Sequence, residues 1–328
     1  MAKKINLMLL ILMLLLACLS LYFGSSSVAV LKGFWDWVMG LQTDNAIIIS
    51  EVRLPRTLLA LGVGAALGIS GAALQGLLRN PLVDPGLVGA SQGAALGAAG
   101  FFYFGLFSSF GTLAISLAGL AGAAIALLLV LVLSSSGRPA LVIMAGLAIS
   151  TLASAALATV LNFAPNPYAI QELVFWLLGS VSNRGMDSLY VLLPALVVGS
   201  VLLLQQKPLL ASLSLGEQVA ESMGINVTRG SRLVVLGVAI LVGSSVAVAG
   251  GIGFVGLVVP HMIRPFVDYR PEKLLVPSAL LGAALVCLAD IGVRWMPPGR
   301  ELKLGVLTAL IGAPFFVWLV WRERKRWV

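Results

Sequence analysis

Apolar residues come in long blocks along this chain, not in stripes. Runs of roughly 20 apolar residues, shorter where glycine and proline interrupt them, lie near 5–23, 55–78, 87–107, 113–133 and 140–163. A second set lies near 188–204, 233–249, 252–266, 274–291 and 304–321. The pattern predicts an all-α polytopic membrane protein of about ten transmembrane helices, one permeating domain over residues 1–328, with both termini on the same side. Two polar stretches on the other side are more than turns. Residues 25–54 include LKGFWDWVM (31–39), whose Trp35 and Trp37 suit a membrane interface. Residues 164–187 include AIQELVFWLLG (169–179), too short to span and read as a re-entrant or interfacial helix.

The longest interior stretch that must sit in water and still looks folded is 212–232, SLSLGEQVAESMGINVTRGSR. Ser214 followed three residues later by Glu217 predicts a capping box, and Leu215, Val219 and Met223 give the helix one apolar stripe. Gly224 supplies a left-handed C-cap, with Ile225 packing back on the last turn. No soluble domain of the chain is there to cover that stripe. A partner protein would cover it.

Charge fixes the orientation. With the N-terminus inside, fourteen of the 21 lysines and arginines fall on the inner side and seven on the outer, which places 212–232 and both termini in the cytosol. Only 10% of residues are charged, against roughly 25% in soluble domains, and the net charge of +8 is scattered between apolar blocks, so nucleic acid is not a partner. Lys3, Lys4 and the run to Cys18 imitate a secretory or lipoprotein signal, but the run continues to Phe23 and is read as the first span. Cys18 and Cys287 make no disulfide framework or metal spacing.

Gly64, Gly68, Ala72 and Gly76 recur at four-residue steps, and Gly93 and Gly97 form a second small-xxx-small pair, so helices here pack closely. NPLVDPG (80–86) carries two prolines and cannot be continuous helix. Arg56 to Gly62 and Arg232 to Gly237 open similar runs from opposite sides, as an inverted repeat would. No phosphate-cradling G-x-x-x-x-G-K-[ST] occurs, so the chain is not expected to hydrolyse ATP by itself. His261 is the only histidine, and Glu51, Asp84, Asp268 and Asp290 all lie near span ends, which counts against a proton- or sodium-coupled carrier.

RLPRTLLALGVGAALGISGAALQGLLRNPLVDPGLVG (53–89), the G-E-x-x-A-x-x-x-G loop (216–224) and GFVGLVVPHMIR (253–264) closely resemble the FecCD permeases. These are membrane subunits of ABC importers for ferric siderophores, haem and cobalamin, and the resemblance covers nearly the whole length. It implies a ten-helix subunit of the bacterial cytoplasmic membrane that dimerises, as a homodimer or with a paralogue. It also implies an extracytoplasmic substrate-binding protein and two ATPase subunits that hold ATP and Mg, with no cofactor on this chain. Ser214, Glu217, Ala220 and Gly224 match the family's coupling helix; Asn80 and Leu82 match its cytoplasmic gate, and Ser136 and Gly137 match a second gate by position.

Arg53 and Arg56, three apart, would share a helix face, and Asp290 sits four residues before Arg294, where it could hold that side chain. In the family resembled, arginines matching these three receive glutamates of the binding protein. The expected function is ATP-driven import of an iron complex by alternating access, ferric siderophore first, haem next, cobalamin after. The rivals are an ion- or proton-coupled carrier acting without an ATPase and a structural subunit with no path.

Overall fold

The computed structural model describes residues 2–24, 28–134, 139–164, 167–295 and 302–327; they contain no strand. Helix α1 spans Ala2–Tyr22, followed by α2 (Val30–Val38), α3 (Asp44–Ile47) and α4 (Leu54–Leu77). Next come α5 (Ala90–Phe104), α6 (Ala114–Leu133), α7 (Pro139–Asn162), α8 (Pro167–Leu177) and α9 (Asp187–Gln205). The inner segment holds α10 (Lys207–Leu213) and α11 (Glu217–Ser222). The chain closes with α12 (Val227–Ala249), α13 (Val255–Ile263), α14 (Pro271–Arg294) and α15 (Leu304–Trp327).

A helix stands at each expected block, but they are not alike. Among the described residues seven are long and apolar enough to cross a membrane: α1, the run 44–77, α6, α7, α9, α12 and α14. Helix α5 has 15 residues and α13 only 9. The second span begins well before the expected 55, so the outer segment ends at 43 instead of 54. The Thr43 hydroxyl accepts from the Ala46 N–H at 3.3 Å, opening α3, which runs through a π-helical turn, Ile48–Arg53, into α4. That hydroxyl also donates to Asp36 Oδ2 at 2.8 Å, tethering α2, whose Trp35 and Trp37 remain exposed as an interfacial helix requires.

Helices α4 and α12 are the most deeply buried spans and α1 the least. The glycine stripes explain how α4 reaches the centre. A Cβ on Gly64 would lie 2.2 Å from the Gly282 carbonyl oxygen, and one on Gly68 would lie 2.1 Å from that of Ser278, so α4 and α14 touch backbone to backbone. Gly97 meets the Ala118 carbonyl at 2.1 Å in the same way, joining α5 to α6. With no hydrophobic force between helices in lipid, this close dispersion contact is what holds them together.

Between α12 and α13 the helix breaks: Gly250 has φ 71° and Phe254 φ 66°. The short α8 is fastened to that break. The Ser180 N–H donates to the Ala249 carbonyl at 2.7 Å, and a Cβ on Gly250 would meet the Trp176 carbonyl at 2.0 Å. Non-helical backbone at membrane depth is tolerated only inside protein or beside a water-filled space, and here it borders a cavity. Adding one methyl at the α4–α14 contact, Gly68→Ala, should destabilise by about 1–3 kcal/mol, since backbone lies on both sides. Thermal unfolding in detergent measures it, with Gly185→Ala, where no atom lies within 4 Å, as the neutral control.

Candidate functional site

The inner segment between α9 and α12 folds around glycine, not around serine. Gly216, at φ 113°, is the N-cap of α11 and no side chain caps that helix, which corrects the expected capping box. The Ser214 hydroxyl instead donates to the Ala211 carbonyl at 2.6 Å, closing α10, so it faces away from the next helix. Glu217 reaches out to Arg79, Oε1 to Nη2 at 3.5 Å. The other end is as expected: Gly224 has φ 81°, its N–H donates to Glu221 O at 2.9 Å, and the Ile225 N–H donates to Ala220 O at 3.1 Å. That pair of bonds is a Schellman motif. Ala220 is fully buried while Leu215, Val219 and Met223 are exposed, so the apolar stripe lies open on the surface.

The loop 80–88 follows Arg79, the residue that pairs with this helix. The Asn80 side-chain oxygen accepts the Leu82 N–H at 2.9 Å, and Leu82 points outward, exposed. Asp84 Oδ1 accepts the Gly86 N–H at 2.8 Å and starts a 3-10 turn, Pro85–Val88. Burial pushes the Asp84 carboxyl above the usual carboxylate range, and the Gly86 N–H pulls it partly back. Ser136 and Gly137 lie outside the described residues.

Asp84 and Pro85 form one wall of a cavity of about 730 Å³, whose other walls come from α4 (Leu67), α5 (Gln92), α12 (Val246), the break (Phe254) and α15 (Ala309). Its lining is aliphatic and glycine-rich, with Asp84, Ser91 and Gln92 as the polar side chains. Such walls offer room and few specific holds.

At the opposite end of α4 the three outer arginines converge. Arg56 grips Asp290 through two nitrogens, Nε to Oδ1 at 3.0 Å and Nη2 to Oδ1 at 2.9 Å. Arg294 donates through Nε to the other oxygen of Asp290 at 3.0 Å, so the expected four-residue pair is present. Its Nη1 donates to the carbonyls of Ser20 at 2.7 Å and Phe23 at 2.8 Å, while Arg53 Nη1 donates to those of Leu21 at 2.7 Å and Tyr22 at 3.1 Å. Those four carbonyls are at the C-terminal end of α1, where a helix has no donors of its own. Two guanidiniums therefore finish α1, and one carboxylate, 2% exposed, joins α4 to α14.

All three guanidiniums are thus committed to partners within the chain. Arg53 is 4% exposed, and the Arg56 and Arg294 side chains are 16% and 5% exposed. Arg53 and Arg56 were expected on one face, but the π turn ending at Arg53 lets it turn to α1 while Arg56 turns to α14. Sequence spacing did not reveal this, because α1's carbonyls are more than thirty residues away. Asp290→Asn would leave two buried guanidiniums without their anion, at a cost of about 3–5 kcal/mol. The measurement is the detergent melting curve, and a shift no larger than that of a surface substitution would count against the clamp.

One residue absent from the sequence reading proves central to the inner end. Gln75, 2% exposed, donates through Nε2 to the carbonyls of Val83, Gly256 and Leu257, each at 3.3 Å. Its Oε1 accepts from Arg264 Nη2 at 2.7 Å. The available signal was Pro260, which removes the N–H that Gly256's carbonyl would receive in a helix.

Residues 11–322 match the FecCD transport family. The chain is 38% identical to the hemin transport system permease protein HmuU of Yersinia pestis, over 98% of this chain and 97% of that one. It is 36% identical to the Fe(3+) dicitrate transport system permease protein FecD of Escherichia coli, over 98% and 100%. A solved structure of an inward-facing ABC transporter of the metal-chelate type superposes with a TM-score of 0.86 at 33% identity, covering 98% of this chain and 99% of that one.

Proposed function

Because this chain belongs to the FecCD transport family, we propose that it is the translocation subunit of an ABC importer carrying an iron complex into the cytoplasm. A ferric chelate is the first candidate cargo, haem the next and cobalamin the third. The observation that carries this reading is the near full-length match to permeases for hemin and Fe(3+) dicitrate. The broad, aliphatic cavity supports it, since a bulky complex needs space and weak holds, and leaves selection to a binding protein. The chain is a multi-pass protein of the cytoplasmic membrane.

In this reading the exposed stripe of α11 docks on an ATPase subunit, and Ser214, Glu217, Ala220 and Gly224 fix its shape. Two such ATPases hold ATP and Mg, and Asn80 and Leu82 gate the cytosolic end. Both termini lie in the cytosol, and α4 and α12, the two most buried spans, are the matching members of an inverted repeat. A second copy of the chain completes the path. The second half of helix α7 supports that: beside Leu152 its exposed face carries Thr151, Ser154, Ala155, Ala158 and Thr159, whereas α1 shows lipid Leu7, Met8, Ile11 and Leu15. Small and hydroxylated residues suit a protein neighbour better than lipid tails.

On the outer face the docking role of Arg53, Arg56 and Arg294 takes a narrower form. The cluster sets the register of α1, α4 and α14 beneath the docking surface, and Arg56, with the most open side chain of the ion-paired two, is the one within reach of a carboxylate on the binding protein. A carrier acting without an ATPase is the weaker reading. The carboxylate lining the cavity, Asp84, lies in the inner loop and accepts a backbone N–H there.

Reconstitution tests the proposal. The purified chain should show no ATP hydrolysis until its ATPase partner is added, and the assembled complex should accumulate haemin or ferric citrate with ATP; hydrolysis by the chain alone would refute it. A second expectation concerns Gly224→Val. No atom lies within 4 Å of a Cβ there, so only the backbone penalty at φ 81°, about 1–2 kcal/mol, acts. Uptake should fall while membrane insertion stays normal; wild-type uptake would make α11 a mere connector.

A further inference from the structure

The inner loop 80–84 has no helix of its own before the 3-10 turn at Pro85, yet its Asp84 forms part of the cavity wall. What fixes it can be traced bond by bond. Pro260 leaves the Gly256 carbonyl without its helical donor, close to the start of α13. A Cβ on Gly71 would sit 1.9 Å from that same carbonyl oxygen, and one on Gly256 would sit 2.5 Å from Pro85. The first turn of α13 is thus wedged between α4 and the gate loop, with an unpaired acceptor in the wedge. Gln75, one turn further along α4, fills the need: its two N–H groups are shared among Gly256 O, Leu257 O and Val83 O.

An amide can point either way, and only one way works here. Arg264 donates to Oε1 at 2.7 Å and so selects the orientation that leaves the N–H groups toward the three carbonyls. Four residues after Gln75, Arg79 has φ 50° and pairs with Glu217 of α11, the contact that links the start of the loop to the exposed helix. The geometry points to Gln75 as the positioning residue that fastens the 80–84 gate loop to α13, with Arg264 holding its amide in register and the Arg79–Glu217 pair as the strap by which movement of α11 reaches it. The strap half of this rests on the reading of α11 as the ATPase-docking helix; the Gln75 lock does not. Pulling on α11 shifts Arg79, which shifts the turn that carries Gln75's partners.

Gln75→Glu is the decisive variant. It keeps the size and the acceptor facing Arg264 but loses both donors and sets a carboxylate against three carbonyls. In a chain carrying Val83→Cys, a side chain only 5% exposed while the loop is fastened, labelling by a maleimide in detergent should rise about tenfold in the variant, the factor that corresponds to roughly 1.4 kcal/mol of lost bonding. Unchanged labelling in folded protein overturns the lock. If Gln75→Glu does not fold, Arg264→Gln, which frees the amide to turn, is expected to raise labelling in the same direction, and no rise overturns it.

The strap is tested on the surface, where folding is not at stake. Arg79→Glu should raise labelling several-fold, and Arg79→Glu with Glu217→Arg should bring it back toward wild type; failure of the swap to restore it removes the strap. In the assembled complex with its ATPase, haemin uptake per ATP should fall in Gln75→Glu. Equal loss of uptake and hydrolysis would mark Gln75 as merely structural. Absence of ATP-driven uptake in the wild type would defeat the transport reading and still leave the labelling result standing.

Discussion

A carbonyl oxygen that loses its donor in a low-dielectric interior must find another, and in this chain two such needs govern the arrangement of helices. The first is at the outer end, where α1 stops and leaves its last carbonyls open. Arg53 and Arg294 supply the donors from α4's approach and from α14. Bonds from a guanidinium to a carbonyl are charge-assisted and roughly twice as strong as neutral ones. The least buried span is therefore held by its end as well as by the narrow apolar stripe, with Leu9 and Leu16, that it packs on α14. The second need is at Gly256, created by Pro260 and met by Gln75.

Both solutions depend on backbones being near enough for a side chain to reach across. The α4–α14 glycine contact provides that at the outer end, where the same two helices carry Arg56 and Asp290, and the approach of Gly71 to Gly256 provides it at the inner end. Replacing a guanidinium by an ammonium at these positions would not reproduce the arrangement: Arg294 addresses two carbonyls, a hydroxyl and a carboxylate from one planar fork. Arg53 and Arg294, two of the outer arginines that break the positive-inside trend, are thus explained within the chain by helix termination.

The blocks, the short α8, the open stripe of α11 and its glycine stop were legible because each depends on neighbours in sequence. Asp290 with Arg294 was legible for the same reason, at one helical turn. What was not legible depends on distant chain. Ser214 and Glu217 fit a capping pattern, but the turn needed a φ that only Gly216 takes, and Ser214 was claimed by the preceding helix. The early start of the second span was hidden because Asp44 and Glu51 look like loop, while a π turn carries the helix through them. Gln75 belongs to no local pattern, although Pro260 inside an apolar helix already implies that some donor must come from elsewhere.

The two ends of α4 differ in how firmly they are tied, and the difference has a direction. At the outer end, separating Asp290 from its arginines would strand buried charges, at about 3–5 kcal/mol. At the inner end the bonds from Gln75 to the loop and α13 are neutral amide bonds, each worth about 0.5–1.5 kcal/mol net, the stronger guanidinium bond from Arg264 only orients that amide, and the exposed ion pair is worth about 0–1 kcal/mol. A force applied at α11 meets the weaker set first, because Glu217 and Arg79 are on that side. The loop 80–88 can therefore part from α13 while α1, α4 and α14 keep their register outside. A path that opens inward against a fixed outer frame needs that order of strengths, and here it follows from which groups were left without donors and what kind of side chain answered them.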